Sequence, residues 1–572
     1  MNNMMKHNQH YGMTLPLSDE IDRQKYRQVG EDFYSKVVRI ADALKDTPEH
    51  FEDFKDAMRH MRFLPAGRVQ NAMGAARQTT AYNCFVSGII EDSMDVIMKR
   101  AAEAAETMRR GGGIGYDFSR LRPRGELIKS LDSKASGAVS FMGIFDAVCQ
   151  TIASSGHRRG AQMGVLRVDH PDIEQFITAK HDSTTLTGFN ISVGITDEFM
   201  NHLDAGKPFP LRFEGKVYKE VDPVALWDMI MRSTYDWAEP GVVFLDRMNE
   251  MNNLWYCETL EATNPCAEQP LPPYGACLLG SFNLTKYVDD KSFDWDQYKA
   301  DIHTVVRAMD NVVDRTIYPL PEQKSEAENK RRMGLGVTGM ANAGELLRYP
   351  YATPTFMEWA EKALKILRDE CYTASALLAQ EKGTFPLYDK DKYTQGRFFK
   401  TLPKKVRELI EEHGLRNSHL TSIAPTGTIS LTADNVSSGI EPPYSLYYDR
   451  TIAQFDGHQI ERVEDYAYNQ GVSGRTANEI TADEHVDVLC LASKYVDSAV
   501  SKTCNVGDDV TYDEFKQLYY KAWKGGCKGI TTFRAAGKRF GILNEVKPEK
   551  QEEPAKAEAC FIDPDTGQKS CE

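Results

Sequence analysis

The chain has no Cys-x-x-Cys pair, no apolar run long enough to cross a bilayer and no surplus of basic residues. Each absence excludes something. Zinc sites are built from close-spaced Cys or His pairs matched by a second pair, and no such match occurs. Eleven cysteines, an odd number at irregular spacing, do not form the framework of a small secreted disulfide protein. The opening "MNNMMKHNQHYGMTLPLSDE" lacks the apolar core of a signal peptide, and nothing has transmembrane length, so a cytoplasmic protein with no membrane partner is expected. With 69 Lys and Arg against 83 Asp and Glu, the formal charge is -14, which argues against a nucleic-acid groove because such a groove needs a basic face. Small phosphates can still be held by local clusters.

What is present is an ordinary globular composition: 572 residues, 41% hydrophobic and 27% charged. That length suits about four average domains or one large barrel with insertions. Apolar residues return every three or four positions in 91–110 and 356–383, which predicts amphipathic helices. Short apolar or β-branched runs at 189–195, 241–245, 419–425 and 529–533 predict buried strands between helices, hence an α/β fold. From Lys547 to Ala559 the sequence is "KPEKQEEPAKAEA", thirteen residues without an apolar face, which reads as a mobile linker. It leads to Cys560 and Cys571.

Several motifs need weighing. "GLGVTG" at 334–339 matches the dinucleotide fingerprint letter for letter, but charged "AENKRRM" precedes it where a buried strand is required, so the match is set aside. "GGGIGYDFS" at 111–119 reads as a turn that brings backbone close to backbone or ligand. In "SIAPTGTIS" an apolar segment runs into Pro425, Thr426, Gly427, Thr428, Ile429 and Ser430, a turn that is either an ordinary capped turn or an anion site of N–H groups and hydroxyls. Cys84, Cys149, Cys257, Cys371, Cys490, Cys504 and Cys527 have no local partner and read individually as core thiols.

The richest stretch is "NPCAEQPLPPYGACLLGSFNL", residues 264–284. If its start is extended, Asn264, Cys266 and Glu268 share one face, placing a hydrogen-bonder, a thiol and a base together. Cys277 follows eleven residues after Cys266.

Taken in order, "FLPAGRVQNAMG", "NCFV", "GGGIGYDFSRLRPRG", "HRRGAQMGVLRVDHPDIEQFI", "FNISV", the 264–284 stretch, "RRMGLGVTGMANA", "APTGTIS", "SSGIEPPYSLYYDRT" and "GCKGITTFR" resemble the large catalytic subunit family of ribonucleotide reductases. The resemblance implies a ten-stranded α/β barrel of two parallel five-stranded half-sheets, with an internal finger loop carrying the radical cysteine. By that resemblance Cys266 becomes a thiyl radical and removes the 3' hydrogen of the ribose. Glu268 takes the 3' hydroxyl proton, and Asn264 hydrogen-bonds the sugar. Cys84 protonates the departing 2' hydroxyl and then forms a disulfide with Cys277, while Pro425 to Ser430 hold the substrate phosphates.

The same resemblance separates branches of the family. Where one branch carries two adjacent tyrosines that wire it to a metal subunit, this chain has Thr531 and Thr532, while Tyr447 and Tyr448 lie in another segment. Together with the "NPC" and "PPYGAC" wording, this implies the class II branch, with adenosylcobalamin as cofactor and no metal held by protein side chains. The alternatives are a class I type large subunit needing a metal partner, or a catalytically inactive nucleotide sensor. The resemblance further implies a deoxynucleoside triphosphate effector near Asp92 and Lys180, and a thioredoxin or glutaredoxin-type reductant reached through Cys560 and Cys571. It allows a homodimer. The expected organisation is a helical segment over 1–60 without an ATP cone, a catalytic barrel over 61–545 and a redox tail over 546–572.

Overall fold

A computed structural model describes residues 11–534, apart from 77–78, 129–131, 155–157, 160, 183 and 455–456. The expected redox tail, with Cys560 and Cys571, lies outside the described residues.

Three helices, Pro16–Lys25, Phe33–Leu44 and Pro48–Arg59, come first. The second and third start at side-chain caps, Asp32 accepting from Ser35 N–H and Thr47 from His50 N–H. Asp434 ties this region to the rest by accepting from the N–H groups of Thr14 and Leu15 at 2.8 and 2.9 Å.

The main sheet has eight strands. Five are parallel neighbours in chain order: Cys84–Val86, Gly113–Asp117, Gln162–Arg167, Phe189–Ile195 and Gly241–Phe244. Ala276–Cys277 pairs antiparallel outside the first, while Gly529–Arg534 pairs antiparallel with the fifth and parallel with Thr503–Val506. A second sheet holds Phe63–Pro65, Leu279–Asn283 and Gly334–Thr338, the last two parallel. Single parallel bridges, Leu335 to Thr421 and Ile423 to Val500, extend it. The strands expected at 189–195, 241–245 and 529–533 are therefore present, whereas the 419–425 run makes only bridges. Among the described residues the two sheets do not close into one hydrogen-bonded cylinder, so the observed architecture is a mixed α/β fold around a large parallel sheet.

Helices cover the sheets. Met94–Arg109 and Pro354–Lys382 match the two sequence periodicities, and the latter starts at Thr353, whose hydroxyl accepts from Phe356 N–H, with proline in the first turn. It packs on Trp295–Arg315, and Leu364 and Leu367 of the one and Val305, Met309 and Val312 of the other are nearly inaccessible to solvent. Burying each such side chain contributes roughly 1.5–3 kcal/mol.

"GLGVTG" forms most of the strand Gly334–Thr338 and not a phosphate loop. Of the six further cysteines read as core thiols, Cys149, Cys371, Cys504 and Cys527 are buried, whereas Cys257 is exposed and Cys490 half-buried. No helix among the described residues is long and apolar enough to cross a membrane.

Candidate active site

Between the sheets sits a short hairpin, Ala262–Thr263 paired with Pro270–Leu271. Two glycines make room for it. A Cβ on Gly115 would lie 1.7 Å from the Thr263 carbonyl oxygen, and one on Gly334 would lie 2.3 Å from Gln269 Nε2. The first glycine belongs to the main sheet and the second to the smaller one, so both sheets are shaped to the hairpin. The 111–119 segment, expected as a turn, is mostly the strand Gly113–Asp117, and the backbone it approaches closely is that of the hairpin.

The hairpin loop corrects the extended reading of residues 264–268. Asn264 N–H donates to the Gln269 carbonyl at 3.1 Å, and Ala267 N–H donates back to the Asn264 carbonyl at 3.0 Å. The chain therefore turns at Pro265 and Cys266, and Ala267 takes a left-handed φ of 64°. Asn264 braces the turn, its Oδ1 accepting from Gln269 N–H at 3.0 Å. Asn190 Nδ2 holds the Pro265 carbonyl at 3.1 Å, while Ala499 N–H and Ser422 Oγ hold that of Glu268 at 2.8 and 2.9 Å. A turn anchored at three points, not strand alternation, brings these side chains together.

Two cavities meet at Cys266, which among the described residues alone lines both. The first, about 30 Å³, is bounded by Asn83, Cys84, Cys266, Glu268, Pro425 and Thr426 among others. It admits about one water, so a larger ligand must widen it. The second, about 90 Å³, is bounded by Asn190, Ser192, Glu239, Lys502, Thr503 and Thr531 with apolar neighbours.

Among the buried polar atoms without a protein partner, Asn83 Oδ1 and Glu268 Oε2 belong to residues lining the first cavity, and Asn264 Nδ2 and both amide atoms of Gln269 lie on the hairpin that carries Cys266. An unsatisfied buried polar atom costs about 1–3 kcal/mol, so such a cluster marks a place for a polar ligand. Burial pushes the Glu268 carboxyl up to about 7, opposed by the neighbouring Asn264 amide. Asn83 and Gln269 were not singled out from sequence. The only hint was a polar residue beside a thiol in an otherwise apolar stretch.

Cys84 and Cys277 are direct partners across antiparallel strands, and both are free thiols. That register puts their Cβ atoms within disulfide reach. Burial and the Cys84 thiol push Cys277 well above the usual thiol range. Cys266 itself is disulfide-bonded in this structure.

The turn over Pro425–Ser430 leads into the helix Gly427–Thr432, with Thr426 at a left-handed φ of 53°. Pro425, Thr426 and Ile429 reach the first cavity, whereas Gly427, Thr428 and Ser430 do not line it. Thr426 Oγ1 is 2.9 Å from Thr338 Oγ1 and accepts from Gly439 N–H at 2.8 Å.

Elsewhere, Asp92 borders a polar cleft of about 440 Å³ with Arg120, Arg167, His170 and Arg212. Lys180 does not join it. Its ammonium is buried 2.8 Å from Glu239 Oε2 and donates to the Phe189 carbonyl, so it supports the second cavity from behind and is not open to a phosphate at the surface. Thr531 lines the second cavity, and buried Thr532 shares a hydrogen bond with Tyr519 at 2.9 Å.

A model of the ribonucleotide reductase barrel domain matches residues 82–533. A vitamin B12-dependent ribonucleoside-diphosphate reductase of Mycobacterium tuberculosis (strain CDC 1551 / Oshkosh) is 35% identical over 87% of this chain and 74% of its own length. One from Thermoplasma acidophilum is 33% identical over 95% of this chain and 74% of its own. A vitamin B12-dependent ribonucleotide reductase of Streptomyces clavuligerus is 27% identical over 94% and 65%.

Proposed function

Since this chain belongs to the ribonucleotide reductase family, we propose that it reduces ribonucleotides to 2'-deoxyribonucleotides as an adenosylcobalamin-dependent, class II enzyme that supplies DNA precursors. The observation that carries this reading is Cys266, alone among the described residues in lining two cavities: one shared with Cys84 and Glu268, the other with Thr531.

In the reduced protein the Cys266 sulfur, as a thiyl radical, takes the 3' hydrogen of the ribose. Glu268 accepts the 3' hydroxyl proton, and the free Asn264 Nδ2 donates to the sugar. Cys84 gives its proton to the departing 2' hydroxyl, which leaves as water. Cys84 and Cys277 then supply two electrons as their sulfurs join, the Cys277 proton goes to C2', Glu268 returns its proton to the 3' oxygen, and the 3' hydrogen returns from Cys266, which regains the thiyl radical. Ribonucleotide plus two thiols thus becomes deoxyribonucleotide, water and one disulfide. A buried, dry site protects the radical. Pro425 to Ser430 would hold the substrate phosphates, with Thr426 and Ile429 nearest the sugar.

Asn190, Ser192, Glu239, Thr503 and Thr531, hydrogen-bonding groups beside Cys266, fit the nucleoside arm of the cofactor. When bound there, adenosylcobalamin supplies the radical equivalent. The names of the relatives support this dependence. The finer architecture we propose is the ten-stranded barrel, its second half completed by the bridged 421–423 and 500 segments. A deoxynucleoside triphosphate effector would use the Asp92 cleft, where Arg120, Arg167 and Arg212 would have to exchange their carboxylate partners for its phosphates. A thioredoxin-type protein in the cytoplasm would be the reductant.

The test is an anaerobic assay of the purified, dithiol-reduced chain with adenosylcobalamin and each ribonucleoside diphosphate and triphosphate. Deoxyribonucleotide should form without a second protein. Activity only after a dimetal partner is added would replace this reading with the class I one.

A further inference from the structure

Two thiols outside the proposed reaction face each other beside the root of the last described strand. Cys490 lies on the helix Ala482–Tyr495 and Cys527 just before Gly529–Arg534, and their Sγ atoms are 3.5 Å apart. The turn between them is closely fitted, since a Cβ on Gly525 would lie 2.4 Å from Cys490 Sγ.

Their surroundings differ. Cys527 is buried and Cys490 half-buried, so a reagent reaches Cys490 first. The Cys527 thiol, as hydrogen-bond partner, draws Cys490 below the ordinary thiol range, helped by Lys521 and opposed by burial, Asp487 and Asp483. Lys521 Nζ in turn sits 2.7 and 2.6 Å from Asp483 and Asp487. Contact with Cys490 and burial push Cys527 well up. Nearby Cys504 is wholly buried, and burial raises it to about 12. One accessible, activated sulfur beside one sheltered, protonated sulfur is the arrangement of an attacking and a resolving thiol.

We propose that Cys490 and Cys527 are a site of reversible disulfide formation, distinct from the catalytic thiols and driven by a low-molecular-weight disulfide such as oxidised glutathione. The Cys490 thiolate attacks one sulfur of the reagent, forming a mixed disulfide and releasing one small thiol. Cys527, giving up its proton, then attacks Cys490 Sγ, forming the intramolecular bond and releasing the second small thiol. Two protein thiols are oxidised and one reagent disulfide is reduced. The sulfurs must close from 3.5 Å to a bond of about 2.05 Å. The product ties the helix to the start of a strand whose Gly529, Ile530 and Thr531 wall the second cavity.

The full-length protein, reduced and freed of dithiol, is incubated with oxidised glutathione, alkylated and mapped by peptide mass. The wild type should yield a peptide joining Cys490 to Cys527 that a dithiol reverses. In Cys527→Ser the glutathione adduct should accumulate on Cys490, and in Cys490→Ser residue Cys527 should stay unmodified. Oxidation should raise the thermal midpoint of the wild type by about 2–5 °C and leave that of Cys490→Ser unchanged. If other cysteines are oxidised while this linked peptide is absent, or if Cys527 is modified before Cys490, the proposal is overturned. The wild-type map decides alone if a variant does not fold, and catalytic activity enters neither readout.

Discussion

Glu268 holds its proton to about pH 7 because its carboxyl is buried, against an ordinary 4.5. A general base must be ionised, so kcat/KM should rise with pH to a plateau above about 7. Glu268→Gln should lower turnover by about 10²–10⁴-fold and remove the rising limb. Stability moves oppositely. The folded state binds this proton more tightly than the unfolded chain, so the contribution is full below pH 4.5 and is lost as pH rises through about 7, an effect of about 3 kcal/mol. Glu268→Gln should flatten that part of the stability profile, as chemical denaturation at pH 5 and pH 8 would reveal; an unchanged slope would mean that Glu268 is ionised in the folded protein. Among the thiols, Cys266→Ser should abolish deoxyribonucleotide formation with an unaltered circular dichroism spectrum, since a hydroxyl cannot replace the thiyl radical. Wild-type turnover in Cys84→Ser or Cys277→Ser would show that the reducing pair is wrongly assigned.

The hairpin that carries Cys266 depends on one strained position. Ala267 at φ 64° is tolerable for alanine and costly for a β-branched residue. Ala267→Val should lower turnover at least tenfold by shifting the adjacent thiol, while Ala267→Gly should keep it within about twofold. Equal activity in both would mean that the turn conformation does not position Cys266. The turn proposed to hold phosphate rests similarly on Thr338, which meets Thr426 at 2.9 Å and accepts from Gly439 N–H at 3.2 Å. Thr338→Val should raise KM for the nucleotide by up to about tenfold with little change in kcat. Periodicity read the helices and three of the four strands because those signals are local. It misread the 264–268 segment because Pro265 and the hydrogen bonds from Ala499 and Ser422, distant in sequence, impose a turn.

At the scale of the whole molecule, each turnover would leave a Cys84–Cys277 disulfide enclosed, Cys277 being wholly buried, beyond reach of a protein reductant. Cys560 and Cys571, outside the described residues, follow the thirteen-residue stretch from Lys547 to Ala559 in the sequence. They could exchange with the internal disulfide and be reduced outside. The double variant Cys560→Ser, Cys571→Ser should complete about one turnover from the prereduced state and then stall with thioredoxin, while a small dithiol restores cycling. Undiminished cycling with thioredoxin alone would exclude the shuttle.

The sequence by itself determined the α/β class and the family, because those rest on local periodicity and on residue types in order. Which side chains share a cavity was decided only by tertiary structure. Asn83 and Gln269 gain interest solely because burial leaves Asn83 Oδ1 and both Gln269 amide atoms without protein partners. Lys180, expected near the effector, is found paired with Glu239 inside the protein. Cys490 and Cys527, thirty-seven positions apart and read as core thiols, are brought to 3.5 Å by the packing of a helix against the start of a strand. Desolvation and proximity are properties of the packed chain, and no window of sequence contains them.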